Sequence, residues 1–360
     1  MAPPTFTGST DDKGPVLGWL WAIEAYQVLG QALPVNIRCV FEGMEESGSV
    51  GLPKLVRELG TPGKYLDPDV CDFVCISDNY FLGKVKPCLT YGLRGNCYFH
   101  LTVECSTKDL HSGVMGGVVH EAMTDLVRLL SSLVSSAGQI LIPGIMDEVA
   151  PVTEAERAMY RDIDFSAEQF KVDAGVDTVS DRLIYSTKEE VLMHRWRYPT
   201  CSIHGVEGAF DGEGSKTVIP RKVTGKFSLR IVPDMQPETV ERLVREHLDS
   251  VWATMGSPNR MTLRADKSSL AWYRDPECAN FRAARQAVEQ VHGISPDLTR
   301  EGGSIPITRV FEEACLADCV LLPMGACDDG AHSQNEKLDR TNYINGIKVF
   351  AAYLTALASL

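Results

Sequence analysis

Four groups of acidic and imidazole side chains, far apart in the chain, have the types needed to hold divalent cations. They are Ser9-Thr10-Asp11-Asp12-Lys13-Gly14-Pro15, Glu42-Gly43-Met44-Glu45-Glu46-Ser47-Gly48-Ser49, Ile76-Ser77-Asp78-Asn79 and Ala331-His332-Ser333-Gln334-Asn335-Glu336. Carboxylates and imidazole suit a hard or borderline divalent ion, and two such ions about 3.5–4 Å apart need a carboxylate between them. The groups together have the make-up of a two-metal hydrolase centre. Asp11 is the candidate bridge. Adjacent Glu45 and Glu46 cannot serve one ion alike in a tight loop, so Glu46 is assigned to metal and Glu45 to the general base facing the attacking water. Asp78 and His332 become the terminal ligands of the two ions. Singly, a Glu-Glu pair in a loop reads as solvated surface; the case rests on the four groups jointly. A full two-metal site built from these parts is still one ligand short.

The elements that must position these residues follow from the apolar pattern. Residues 16–30 show helical spacing and stop at Gly30, and Val35–Phe41 is a strand candidate whose outgoing loop is Glu42–Ser49. Phe73–Ile76 and Cys319–Leu322 are short apolar strands, each leading into an acidic or histidine-bearing loop. In an α/β sheet, loops after strands converge at the carboxyl edge. The middle of the chain differs. Tyr98–Glu104 and Lys226–Val232 alternate as half-buried strands, a long amphipathic helix is expected near Val118–Val134, and another at Pro237–Met255. This predicts an α/β catalytic domain, a mixed sheet with flanking helices, made of residues 1–94 and 273–360. An α+β domain at 95–272 is inserted into it, and a helix near Asn345–Leu357 closes the chain.

Composition narrows the class. The chain has 360 residues, 44% hydrophobic and 23% charged, enough for two domains with proper cores. A formal charge of −13 argues against a nucleic-acid partner, which calls for a basic patch. The apolar stretch Val16–Ile23 is too short for a bilayer span or a signal peptide, so no membrane association and a cytoplasmic location are expected. Eleven cysteines in such a chain read as reduced thiols. The Cys71/Cys75 and Cys315/Cys319 pairs, in or beside apolar segments, are assigned to core packing rather than metal.

Seven strings in order, Ser-Thr-Asp-Asp-Lys-Gly-Pro, Glu-Gly-Met-Glu-Glu-Ser-Gly-Ser, Ser-Asp-Asn-Tyr, Leu-His-Ser-Gly-Val, Lys-Thr-Val-Ile-Pro, Gly-Gly-Ser-Ile-Pro and Ala-His-Ser-Gln-Asn-Glu, resemble the M20 metallopeptidases, and within them the cytosolic dipeptidases. The resemblance runs from about Gly8 to the C-terminus. It implies a catalytic domain with an inserted lid, homodimerisation through that lid, and two zinc or manganese ions. The implied activity is hydrolysis of dipeptides with broad specificity, carnosine-type and Cys-Gly substrates among them. It places Asp11 as bridge, Glu45 as base, and Glu46, Asp78 and His332 as ligands. His111, by itself a loop or capping histidine, is implied to reach the partner subunit's site and polarise the scissile carbonyl. Arg230, by itself an exposed strand arginine, is implied to grip the substrate carboxylate. Thr217 and Ser304 match substrate contacts.

The resemblance also implies a His-x-Asp motif ahead of Asp11, and Met1–Phe6 does not supply it. His247-Leu248-Asp249 is the only such tripeptide, but it lies in a helix where residues two apart diverge by about 200°, so its side chains cannot converge. The chain therefore reads as an N-terminally shortened form. At most one tightly held ion is expected per chain, with reduced or absent turnover. The alternative is a catalytically silent binding or dimerisation partner of a full-length enzyme.

Overall fold

The computed structural model describes residues 8–360. Two separate sheets organise it. The first is mixed and five-stranded: Phe73–Ile76 pairs in parallel with Asp318–Leu321, which meets Cys88–Leu93 antiparallel, and Cys88–Leu93 also pairs with Trp272–Tyr273 and Asp297–Glu301. Cys88–Leu93 is buried at every position, as expected of a strand covered on both faces. The helices Lys13–Val28, Ala279–His292 and Arg340–Leu357 pack together over this sheet, and Leu52–Leu59 and Ile307–Cys315 form a second pair, the latter helix against Phe73–Ile76 and Asp318–Leu321. The α/β expectation holds.

The second sheet is antiparallel, in the order Thr200–Glu207, Lys222–Ile231, Gly95–Glu104, Arg260–Ala265. Burial alternates residue by residue along Gly95–Glu104, because successive side chains leave opposite faces of the pleat. Cys97, Phe99, Leu101 and Val103 point inward, against Leu126 and Leu129 of the Ala122–Ser131 helix and Val240, Val244 and Leu248 of the Pro237–Met255 helix. The latter three recur at i and i+4, the stripe that makes a helix face a sheet. A third cluster joins Tyr160, Ile163, Leu192, Met193 and Trp196 to Phe81, Leu82 and Cys88. The stretch around residues 154–196 thus leans on the first sheet's neighbourhood.

Two sequence expectations are corrected. Val35–Phe41 forms no strand, because no segment among the described residues offers it a ladder. The helix expected near Val118–Val134 is only Ala122–Ser131: Gly116 and Gly117, the latter at φ +76, hold the chain in a turn ahead of it. No helix among the described residues is long and apolar enough to cross a membrane. All eleven cysteines are free thiols, and none joins a group able to hold a metal ion among the described residues.

The chain passes between the two sheets at a single residue. Leu93 ends one strand, Gly95 begins the next, and Arg94 lies between them. The return crossing runs alongside, with Asn96 and Ser269 exchanging backbone hydrogen bonds of 3.0 and 2.9 Å. A Cβ on Gly95 would sit 2.3 Å from the Ser269 carbonyl oxygen, so only glycine permits this approach.

Candidate active site

The parallel strands Phe73–Ile76 and Asp318–Leu321 end on the same edge, and Tyr80–Phe81 pairs in parallel with Gly325–Ala326 just beyond. This pairing carries Asp78 and the 328–336 loop to one place. Asp78 is fixed by its neighbours: Ser77 Oγ accepts from Trp19 Nε1 at 3.0 Å, and Asn79 Nδ2 donates to Thr90 Oγ1 at 2.7 Å. Asp11 arrives in the turn that opens the Lys13–Val28 helix. His332 arrives on a loop whose backbone is left-handed at His332 itself (φ 59), an uncommon state for a residue with a Cβ.

Glu45 and Glu46 stand on a short 3-10 turn, Glu45–Ser47, closed by Gly48 at φ +85. Successive residues of a 3-10 turn diverge by about 120°, which separates the two carboxylates in direction as the division of roles requires. His332 Nε2 lies 2.9 Å from Asp11 Oδ2 and 3.2 Å from Glu46 Oε2. Asp11, Glu46, His332 and Glu336 line a cleft of about 240 Å³.

Charge is concentrated here beyond what the protein compensates. The Asp78 carboxyl is pushed up to about 8, first by burial, then by the charges of Glu45, Asp11 and Glu46. Asp12 is pushed up to about 9 by burial and by Asp78, Asp11 and Glu45. Burial and the carboxylates of Glu46, Glu42 and Asp11 likewise raise Glu45, against a smaller pull from His332. Asp12 Oδ1 and Glu42 Oε1 are buried without a hydrogen-bond partner. A donor set of two carboxylates and one imidazole, with one ligand atom from each within 4.8 Å of the others, fits a divalent cation, and a cation would reverse each of these upward shifts.

A second acidic group, Asp328, Asp329 and Asp339, differs in kind, since Lys337 Nζ already sits 3.3, 2.8 and 3.2 Å from its three carboxylates. Asp329 is buried and structural: its Oδ2 accepts from Thr10 Oγ1 at 3.0 Å and from the Ala326 N–H at 2.8 Å.

The other residues singled out in the sequence fall into two further pairs. Arg230 Nη1 donates to Ser304 Oγ at 2.9 Å, joining the second sheet to the Gly302-Gly303-Ser304 loop. His111 pairs across a short ladder with Val218, beside Thr217, whose carbonyl accepts from the Ser112 N–H at 3.2 Å. His111 Nδ1 accepts from the Gly113 N–H at 3.0 Å, which is the capping arrangement its sequence context suggests. His247 is half-buried and its Nε2 bonds Ser132.

Two residues gain roles that their types alone do not assign. Glu336 accepts from the N–H groups of Gly8, Thr10 and Asp11 at 2.8–3.0 Å and from Ser9 Oγ at 3.4 Å. Burial alone would raise its carboxyl, but these donors outweigh it and hold the group below its usual range. Asp12 is the other, an acid beside Asp11 whose Oδ1 is buried without a hydrogen-bond partner. The signal for both was proximity, Glu336 four residues after His332 and Asp12 next to Asp11.

Comparison with known proteins gives the family. Residues 7–356 match the profile described as peptidase family M20/M25/M40. The chain is 53% identical over 353 residues to the Cys-Gly metallodipeptidase dug1 of Schizosaccharomyces pombe, covering 98% of this chain and 72% of that protein. It is 47% identical over 351 residues to the Beta-Ala-His dipeptidase of Mus musculus, covering 98% and 70%. The solved structure of the dipeptidase Dug1p from Saccharomyces cerevisiae superimposes with a TM-score of 0.90 at 50% identity, covering 98% of this chain and 72% of that one. On profile, relatives and fold alike, the chain belongs to peptidase family M20/M25/M40.

Proposed function

We propose that this protein is a metal-dependent dipeptidase whose centre is the convergence of Asp11, Glu46 and His332, flanked by Glu45 and Asp78. That convergence, from segments far apart in sequence, is the observation that carries the reading. Its named relatives, a Cys-Gly metallodipeptidase and a Beta-Ala-His dipeptidase, suggest small dipeptides of those kinds as substrates. Zinc or manganese would suit the mixed oxygen and nitrogen donors: Asp11, Glu46 and His332 would hold one ion, and Asp78 would be left to serve a second, for which the site is one ligand short. When bound, such ions supply Lewis acidity to the scissile carbonyl. Glu45 takes the proton of the attacking water at a carboxylate oxygen and returns it to the leaving amine.

Arg230 and Ser304 serve the free carboxyl terminus of the substrate, and Thr217 is a further substrate contact. His111, exposed beside Thr217, polarises the carbonyl from the partner subunit of a homodimer. We assign residues 1–94 and 273–360 to the catalytic part and 95–272 to the lid, supported by the two separate sheet cores, although the stretch around residues 154–196 packs on the catalytic side. A cytosolic setting accords with eleven unpaired cysteines. The test is Glu45→Gln: kcat on a Cys-Gly dipeptide should fall by roughly 10²–10⁴ with metal content unchanged. Retention of most activity removes Glu45 from the mechanism.

A further inference from the structure

Arg230 stands on the second sheet and Ser304 on the loop that follows a strand of the first, so something must fix their separation. Arg94, the one-residue link between Leu93 and Gly95, contacts both sides. Its backbone N–H points at the carbonyls of Glu301 and Gly303, at 3.3 and 3.2 Å, and its Nε donates to the Gly302 carbonyl at 3.0 Å. On the other side its Nη1 donates to Thr200 Oγ1 at 3.0 Å, and Thr200 is the residue directly paired with Arg230 across the strands. A Cβ at position 302 would lie 3.0 Å from Arg94 Nη2 and 2.9 Å from the Arg195 carbonyl oxygen. Glycine at that position leaves the guanidinium room to lie across the loop.

The hydroxyl of Ser304 is oriented by the same residue. It donates to the Arg94 carbonyl at 2.6 Å while accepting from Arg230 Nη1 at 2.9 Å. A hydroxyl has one proton, and here it is committed to Arg94. Ser304 therefore faces Arg230 as an acceptor. Among the described residues, neither Arg94 nor Arg230 has a carboxylate within ion-pair distance, so Arg230 keeps further N–H groups for an anion.

We infer that Arg94 is the positioning residue of the substrate-carboxylate site: it locks the Gly302–Ser304 loop to the Arg230 strand, and through Ser304 aims the Arg230 guanidinium at the carboxyl terminus of a dipeptide. This rests on the dipeptidase reading and refines it, since Ser304 then acts on Arg230 instead of donating to substrate. Burial, helped by the positive charges of Arg230 and Arg195 against Glu301, pulls the Arg94 guanidinium down to about 10, which still leaves it charged at neutral pH.

The experiment compares a Cys-Gly dipeptide with its C-terminal amide on the full chain. Arg94→Met should raise KM for the free acid roughly tenfold to hundredfold, leave KM for the amide unchanged and alter kcat little. Ser304→Ala, which removes only a hydroxyl and leaves the loop in place, should show the same selective rise. In an Arg230→Ala background neither change should add to the loss. Equal effects on acid and amide, or effects that multiply with Arg230→Ala, overturn the inference. If wild type fails to distinguish acid from amide, or hydrolyses neither, the reading of Arg230 or of the whole site fails and the inference falls with it. If wild type discriminates and both variants discriminate equally well, the inference alone is overturned.

Discussion

Glu336 gathers the Gly8–Asp11 turn around one carboxylate, through three backbone N–H groups and one hydroxyl. It thereby sets where the Asp11 carboxylate points, although it stands among candidate ligands without being needed as one. Glu336→Gln keeps the size but turns an amide N–H₂ toward backbone donors. Groups that orient a ligand typically matter 10–100-fold for metal affinity, so the variant should lose that much in competition with a chelator. Unchanged affinity would mean the turn holds its own shape. The carboxylates and imidazole of Asp11, Glu46 and His332, which the structure gathers within 4.8 Å, were legible in the sequence because those side-chain types announce their chemistry. Glu336 was not, because a carboxylate that solvates backbone looks the same as one that binds metal until the fold shows what faces it.

At the scale of elements, Asn280 shows how a helix start is tied to a sheet. It is fully buried, its Nδ2 donates to the carbonyls of Val74 and Asp318 at 2.9 and 2.7 Å, and its Oδ1 accepts from the Tyr353 hydroxyl. Asn280→Ala leaves several buried polar groups unpaired and should destabilise the protein by about 2–4 kcal/mol in urea unfolding. The His194 ring is stacked at 3.6 Å on Tyr185 and lies 4.8 Å from Tyr198. Burial pulls its pKa down, partly countered by Glu190. A folded-state pKa below the unfolded value means the unfolded chain binds more protons, so this contribution is complete above about pH 6.5 and is lost as pH falls through the window below it. The urea midpoint should drop between pH 7 and pH 5, and His194→Phe, which keeps the stack, should flatten that slope.

Strands with plain alternation or apolar runs, such as Gly95–Glu104 and Phe73–Ile76, were readable in advance. Asp297–Glu301 was not, since its buried positions are polar: Asp297 pairs with Lys86, while Arg300 lies over Tyr91 and Tyr273 and bonds Glu156. Val35–Phe41 misled for the opposite reason, having the pattern of a strand without a neighbour among the described residues.

For the whole molecule, the two cores divide the labour between a sheet edge that carries the acidic centre and a second sheet that carries Arg230 and stands near the His111 turn. If His111 acts across a homodimer, mixing inactive His111→Ala and Glu45→Gln proteins should restore about a quarter of wild-type turnover, because each heterodimer holds one intact combination. No recovery despite proven subunit exchange would confine His111 to capping its own helix. The contact between Asp11 and Glu336 spans 325 residues of sequence. Closure over such a distance is entropically slow and comes late in folding. During synthesis the acids of the first hundred residues emerge long before their imidazole, so a ribosome stalled ahead of His332 carries a crowd of carboxylates and no finished centre. If these side chains hold the cation, its capture waits for translation to pass His332, and an incomplete chain has little means of cutting peptides in the cell that is making it.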